Sequence, residues 1–218
     1  MFKATPKISV TSKLDGNRSW SLQAIDTCPG SIASPGVLVD ACKGCYATTG
    51  NYNYPNVKAP RAHNRDDWQQ LDWVEAMVQA LDNDRYFRWF DSGDVYHVAL
   101  AEKILEVMKR TPWCKHWLPT RMHKFPKFAI VLTEMQALQN VMVRFSSDSI
   151  DGSYTDGLHG SVIIPDSEHA TTAKVCGAYE NQGKCSGCRA CWDKATPVVA
   201  YVAHGVKMQR VIKLKKVN

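Results

Sequence analysis

The sequence lacks any apolar run approaching the roughly 20 residues that cross a bilayer, so no membrane partner is expected. Its first twenty residues, MFKATPKISVTSKLDGNRSW, lack the continuous apolar stretch of a secretory leader. Together these absences predict a protein that stays in a reducing cytoplasm. Internal repeats and low-complexity tracts are also missing, which argues against a solenoid and against global disorder. What is present is ordinary for a globular chain: 218 residues, 44% of them hydrophobic, enough to bury a sizeable core in a single domain over 1–218.

The expected compartment decides how the eight cysteines are read. In a reducing environment grouped thiols hold metal or do redox work more often than they form disulfides. Cys28, Cys42 and Cys45 form one group, spaced C-x13-C-x2-C. Cys176, Cys185, Cys188 and Cys191 form another, spaced C-x8-C-x2-C-x2-C. Cys114 stands alone at the start of a strand-like segment, which predicts a buried, unliganded thiol on the opposite side of the sheet.

Strands are expected at Ser19–Ile25, Tyr86–Phe90, Lys115–Pro119, Val141–Phe145, Ser161–Ile164 and Val198–Val202. Apolar residues at three- and four-residue spacing predict helices over Asp66–Leu81, Val95–Lys109 and Phe125–Leu138. Asn51–Pro60 reads as a loop, and Arg210–Val217 as an edge strand guarded by lysines. Strands alternating with helices predict an α/β fold with a mainly parallel sheet. The chain is short of the about 250 residues of a closed eightfold barrel, so a partial or reduced (β/α) barrel is expected. A cysteine-rich N-terminal loop and a cluster-binding segment at 172–195 complete it. In such folds the functional loops follow the carboxyl ends of strands, where Cys28, Asp91–Asp94, Arg121 and Ser146–Asp148 fall.

Three thiolates suit a [4Fe–4S] cluster with one iron left open, which is the expectation for Cys28, Cys42 and Cys45. A zinc site completed by a histidine such as His63 is the alternative. The C-terminal quartet can wrap a second cubane, again with structural zinc as the alternative. Trp192 either shields that site or packs in the core. Asp91 and Asp94 read either as acid–base groups or as turn and helix-cap residues, and His97 as a surface histidine. The net charge of +6 is partly carried by Lys207, Arg210, Lys213, Lys215 and Lys216. With Tyr52 and Tyr54 as stacking platforms, that basic tail makes nucleic acid a candidate partner.

The segments Ser19-Trp20-Ser21-Leu22, Thr27-Cys28-Pro29-Gly30-Ser31, Cys42-Lys43-Gly44-Cys45-Tyr46-Ala47, Arg88-Trp89-Phe90-Asp91-Ser92-Gly93-Asp94 and Cys185-Ser186-Gly187-Cys188-Arg189-Ala190-Cys191-Trp192 occur in that order. Together they resemble an uncharacterised bacteriophage family of cysteine-rich proteins. More distantly, the layout is similar to the radical S-adenosylmethionine superfamily. That likeness implies a partial barrel, an N-terminal cluster on Cys28, Cys42 and Cys45, and S-adenosylmethionine chelated by its open iron. It implies that Ser92, Gly93 and Asp94 meet the methionine amino group. Ser146 and Ser147 would contact the ribose or carboxylate, and Arg121 would pair with the carboxylate. The first cysteine gap is longer than in that superfamily, and Gly44 stands where it carries an aromatic.

The resemblance implies a reaction in which an electron cleaves S-adenosylmethionine and the resulting radical abstracts hydrogen from a substrate. A reductant protein would then be a partner. Two other readings stand beside it: a non-catalytic electron-transfer or partner-binding iron–sulfur protein, and a zinc-stabilised nucleic-acid binder.

Overall fold

The computed structural model describes residues 3–155, 157–169 and 171–217. In chain order it runs β1 (Ile8–Val10), β2 (Arg18–Trp20), β3 (Ile32–Ser34), β4 (Val37–Leu38), α1 (Asp40–Lys43), α2 (Pro55–Asp67) and α3 (Trp73–Ala80). It continues β5 (Tyr86–Trp89), α4 (Val98–Arg110), β6 (Lys115–Thr120), α5 (Ala129–Ala137), β7 (Val141–Ser146), β8 (Gly160–Ile164), β9 (Lys174–Val175), β10 (Val198–Val202) and α6 (Val206–Val217). Eight strands form one sheet in the order β1-β2-β5-β6-β7-β8-β10-β9, and β3 and β4 pair separately. Among the described residues only the β1–β2 pairing in the large sheet is antiparallel; the other neighbours pair parallel. The expected mainly parallel α/β sheet is therefore present. It is open, with β1 and β9 at its edges.

Side-chain alternation divides the work of the two faces. On β5, Phe87 and Trp89 are fully buried in the core beneath α3, α4 and α5, and Tyr86 and Arg88 point the other way. That helix-covered core is built on aromatics: the rings of Trp20, Trp73, Trp89 and Phe90 meet at 5.5–6.4 Å, three of the four pairs edge-on. Cys114 lies buried in it, as its place at a strand start predicted. His116 is buried there too, and its neutral form is the one the packing suits. Trp89 Nε1 donates to its Nδ1 at 3.3 Å, so Nε2 carries the proton towards Thr111 Oγ1 at 2.8 Å.

Three elements differ from their sequence pattern. The expected helix over Asp66–Leu81 is two helices, α2 and α3, broken at 68–72. The break lets Trp68 and Trp73 both reach the core, and it leaves Leu71 99% exposed although its spacing matched the apolar stripe. The expected loop over Asn51–Pro60 gives way at Pro55, which opens α2 at a position where its missing N–H costs nothing. The tail forms α6 and not an edge strand. Met208 and Ile212, four residues apart, pack against Ala41, Ile150 and Ala203, and that contact selects helical over strand spacing.

Candidate functional site

The second face of the sheet lies away from α3, α4 and α5. Arg88, Trp117, Pro119, Ser146, Ser161, Ile163 and Tyr201 project from it into a cavity of about 470 Å3. The chain closes over that chamber with its two cysteine-bearing segments and part of α6. Cys28, Cys42 and Cys45 line it, and so do Cys176, Cys185 and Cys191. The two groups, more than a hundred residues apart in sequence, thus face one space. Cys188 is exposed and lies outside the chamber lining.

Local chemistry fixes the N-terminal set. After β2 the chain turns at Ile25, whose φ is 72°, and Cys28 N donates to Ile25 O at 3.1 Å. Ser31 closes the turn, its N and Oγ donating to Cys28 O at 2.9 and 2.6 Å. After β5, Phe90 takes a φ of 57°. A left-handed conformation at a β-branched or bulky residue costs about 1–3 kcal/mol, and both strained residues line the chamber. The Ser92-Gly93-Asp94 turn is laced to the Cys28 loop. Leu22 N donates to Ser92 O at 3.0 Å, Ser92 Oγ to Leu22 O at 2.7 Å, and Asp94 N to Thr27 O at 3.1 Å. Gly93 sits at φ +79°, and a Cβ there would meet Leu22 Cβ and Thr27 Oγ1 at 2.7 Å. Cys42 closes to Cys45 through Cys45 N→Cys42 O at 3.1 Å. Gly44 between them lies where a Cβ would stand 2.6 Å from Met208 Cα of α6.

Ser92, Gly93, Asp94, Arg121, Ser146 and Ser147 all line the same chamber. Several of them already have protein partners. Asp94 accepts from Val95 N and Thr120 Oγ1 at 2.7 Å and from Arg121 N at 2.9 Å, so it bridges the ends of β5 and β6. Burial nevertheless pushes its carboxyl above the usual range. Arg121 donates to Asp148 Oδ1 at 3.2 Å and Ser147 O at 2.7 Å. Ser147 Oγ donates to Ser153 O at 2.6 Å, and Ser146 Oγ lies 3.3 Å from Ser161 Oγ. The cap of α4 falls to His97, whose Nδ1 accepts from Ala99 N at 3.1 Å. His63 is held by Thr5 and Asp67 outside the chamber lining.

Sequence reasoning missed three groups, Arg88, Arg144 and Asp15, and gave a fourth, Tyr52, a different role. Arg88 lies over the Trp117 ring at 4.6 Å and pairs with Asp91 at 2.9 Å. Burial opposes its charge, and Asp91, Tyr46 and Tyr201 more than offset that. Tyr52 Oη donates to Asp91 Oδ2 at 2.5 Å, so this tyrosine is committed to the chamber wall; Tyr54 remains exposed. Arg144 is fully buried and donates to six carbonyls, those of Gly160, Ala190, Cys191, Asp193, Thr196 and Pro197. Asp15 accepts from Ser186 N, Gly187 N and Arg189 Nη1, tying the N-terminal turn to the C-terminal cysteine segment. A charge in the middle of an apolar strand, as in YFRWF and VMVRFS, was the available signal for both arginines. Trp192 packs in the interior, 5.2 Å from Trp117 and 5.6 Å from Tyr86, with Nε1 donating to Phe87 O at 3.0 Å.

The thiols of Cys28, Cys42, Cys45, Cys185 and Cys191 are pushed above the usual range. Burial, then the charge of Asp94, pushes Cys28 up to about 12. Burial raises Cys42, Cys45 and Cys191, and with Cys176 and Cys191 as neighbours it raises Cys185 to about 11. Among the described residues no group of three or more His, Cys, Asp or Glu side chains stands close enough to hold a metal ion. Among them, too, no helix is long and apolar enough to cross a membrane. In the basic tail, Lys215 pairs with Asp40 and Lys207 donates to Thr48.

No curated protein and no solved structure matches the chain. One family model does, over residues 3–194, and it describes Gene product 88. A match over most of the sequence settles membership: the chain belongs to the phage Gene product 88 family.

Proposed function

We propose that the chain is an iron–sulfur protein of radical S-adenosylmethionine type, acting inside one chamber in a phage-infected host cytoplasm. The observation that carries this reading is the shared wall. Cys28, in the loop after β2, and Ser92-Gly93-Asp94, in the turn after β5, line the chamber with Cys42 of α1 and Cys45 just past it. In this reading the open sheet is a reduced barrel whose interior face carries the chemistry.

The donor set suits a cluster by its chemistry. Three soft thiols on one wall suit iron and sulfide, and His63 is not there to complete a zinc site. Burial keeps these thiols protonated in the bare chain, so a cationic centre must supply the free energy that makes them thiolates. The sulfurs must also move closer to share one centre, since side chains close on a metal as it binds.

Cys28, Cys42 and Cys45 would hold the N-terminal cluster, and the C-terminal thiols the second. Bound there, the first supplies one-electron reduction of chelated S-adenosylmethionine. The chain's own residues bind, orient and exclude water. Asp94 fixes the β5 and β6 ends against each other, and Phe90, Trp117 and Pro119 give the chamber apolar walls. Arg88 offers the interior a buried positive charge. Arg121 and Arg88 both line the chamber as cations for a ligand carboxylate, which would compete with the Asp148 and Asp91 that now pair with them.

The test is anaerobic reconstitution, iron and sulfide analysis, and electron paramagnetic resonance with and without S-adenosylmethionine. The reading predicts iron and sulfide in equal amounts and a spectrum perturbed by S-adenosylmethionine. Iron-free protein, or stoichiometric zinc in its place, overturns it.

A further inference from the structure

We propose that the exposed face of α6 and the chamber rim beside it bind single-stranded nucleic acid, with phosphates along α6 and one base entering the chamber against Tyr46. The inference goes beyond the metal chemistry above and needs no metal at either thiol set.

The chain's whole excess of positive charge follows Asp193. Up to that residue, lysines and arginines equal aspartates and glutamates in number; from Lys194 to Asn218 there are six cations and no carboxylate side chain. Five of the six belong to α6. The helix turns Met208 and Ile212 inward and leaves Lys207, Arg210 and Lys213 exposed. Three-residue spacing sets those cations on one side of the helix, rising about 4.5 Å at each step. Among the described residues, the carboxylates that pair with α6 are Asp40 and Asp151, and both go to Lys215. Lys207, Arg210 and Lys213 thus keep their charge for a polyanion.

The same helix borders the chamber. Its Met208 backbone rests on Gly44, and His204 and Met208 line the cavity. Lys207 Nζ donates to Thr48 Oγ1 at 3.1 Å. Two residues before Thr48, Tyr46 lines the chamber and is 45% exposed. A strand whose phosphates follow the α6 row therefore passes an aromatic platform on which a base can stack. The cavity of about 470 Å3 lies in the range of a single small-ligand pocket, about 300–1,000 Å3. It admits one base and not a paired duplex. Val206 and Leu214 are also exposed on α6. Two apolar side chains bury too little area to hold a bilayer, and a bilayer has nothing to place in the chamber.

The experiment follows the fluorescence anisotropy of a labelled oligodeoxythymidine as the full chain, purified anaerobically, is added across a salt series. Log affinity should fall against log salt with a slope of about −2, the value for three phosphate contacts on a single strand. Arg210→Gln should make that slope shallower by about 0.7. Lys207→Glu/Arg210→Glu/Lys213→Glu should weaken binding by at least about tenfold. Lys115→Glu/Lys127→Glu/Lys174→Glu, an equal change of charge at exposed lysines elsewhere, should change it by less than about threefold. Tyr46→Ala should cost about tenfold, and Tyr46→Phe should retain the affinity. Equal losses from the two triple variants, or no salt-dependent binding by the wild type, overturns the inference. So does equal affinity for a duplex, or wild-type affinity in Tyr46→Ala. Cosedimentation with phosphatidylserine vesicles in preference to the oligonucleotide overturns it in favour of a membrane surface. None of these readouts depends on iron, so this inference and the iron–sulfur reading fail separately.

Discussion

Among single residues, exposure separates Cys188 from the other seven cysteines. In metal-free protein a thiol reagent should label Cys188 first. Cys28, Cys42, Cys45, Cys185 and Cys191 react slowly, because burial holds each thiol protonated and shields it. Peptide mass spectrometry after a short pulse checks this; uniform labelling would contradict the chamber. Arg144 carries a larger consequence. Its guanidinium replaces water for six carbonyls, and no carboxylate pairs with it among the described residues. Arg144→Met should cost about 3–5 kcal/mol in urea unfolding, through buried carbonyls left without donors. Lys should not rescue it, since a point charge with three donors cannot span the fan that a planar guanidinium spans. His116 adds a pH dependence. Burial lowers it from 6.5 to about 3, so below pH 6.5 the unfolded chain takes up a proton that the folded chain refuses. Its contribution is complete above pH 6.5 and is lost as pH falls towards 3, by up to about 1.4 kcal/mol per pH unit. Urea midpoints between pH 5 and 7 should follow that slope, and His116→Gln should flatten it.

For the elements, the chamber depends on three close approaches that only glycine permits, one of them Gly30 of the Cys28 loop against Arg121. Gly44 lets the α1 end rest on the backbone of α6, and Gly93 lets the turn after β5 rest on the loop after β2. Gly44→Ala should cost about 1–3 kcal/mol and loosen α6, seen as faster amide exchange at 206–215. Gly93→Ala should cost more, because the same clash is joined by left-handed strain at φ +79°. The parallel strands were legible in the sequence because β5, β6, β7, β8 and β10 are short apolar runs bounded by breakers. The helices were legible where an apolar stripe met a core, as in α4. Legibility failed where tertiary contact overrode local pattern. Leu71 matched the stripe but lost its place to Trp68 and Trp73, and the lysines of α6 masked the Met208–Ile212 pair that docks it.

For the whole molecule, both cysteine groups were visible as spacing, yet their meeting was not. Spacing reports which thiols can share a centre; it says nothing about which face of a sheet two distant segments cover. That convergence comes from the unoccupied second face of the sheet, from Asp15 reaching Arg189, and from Arg144 drawing 190–197 onto β7. The exposed position of Cys188 was equally hidden, because the carboxylate that fixes it lies near the other end of the chain. The central claim is that the two thiol sets face one chamber. It is tested most directly by electron paramagnetic resonance of the anaerobically loaded protein with both centres reduced. Two clusters across a chamber of about 470 Å3 should couple, giving a split, broadened spectrum that sharpens to a simple one when either cysteine set is replaced by serine. A spectrum that equals the plain sum of the two single-cluster variants would contradict the account.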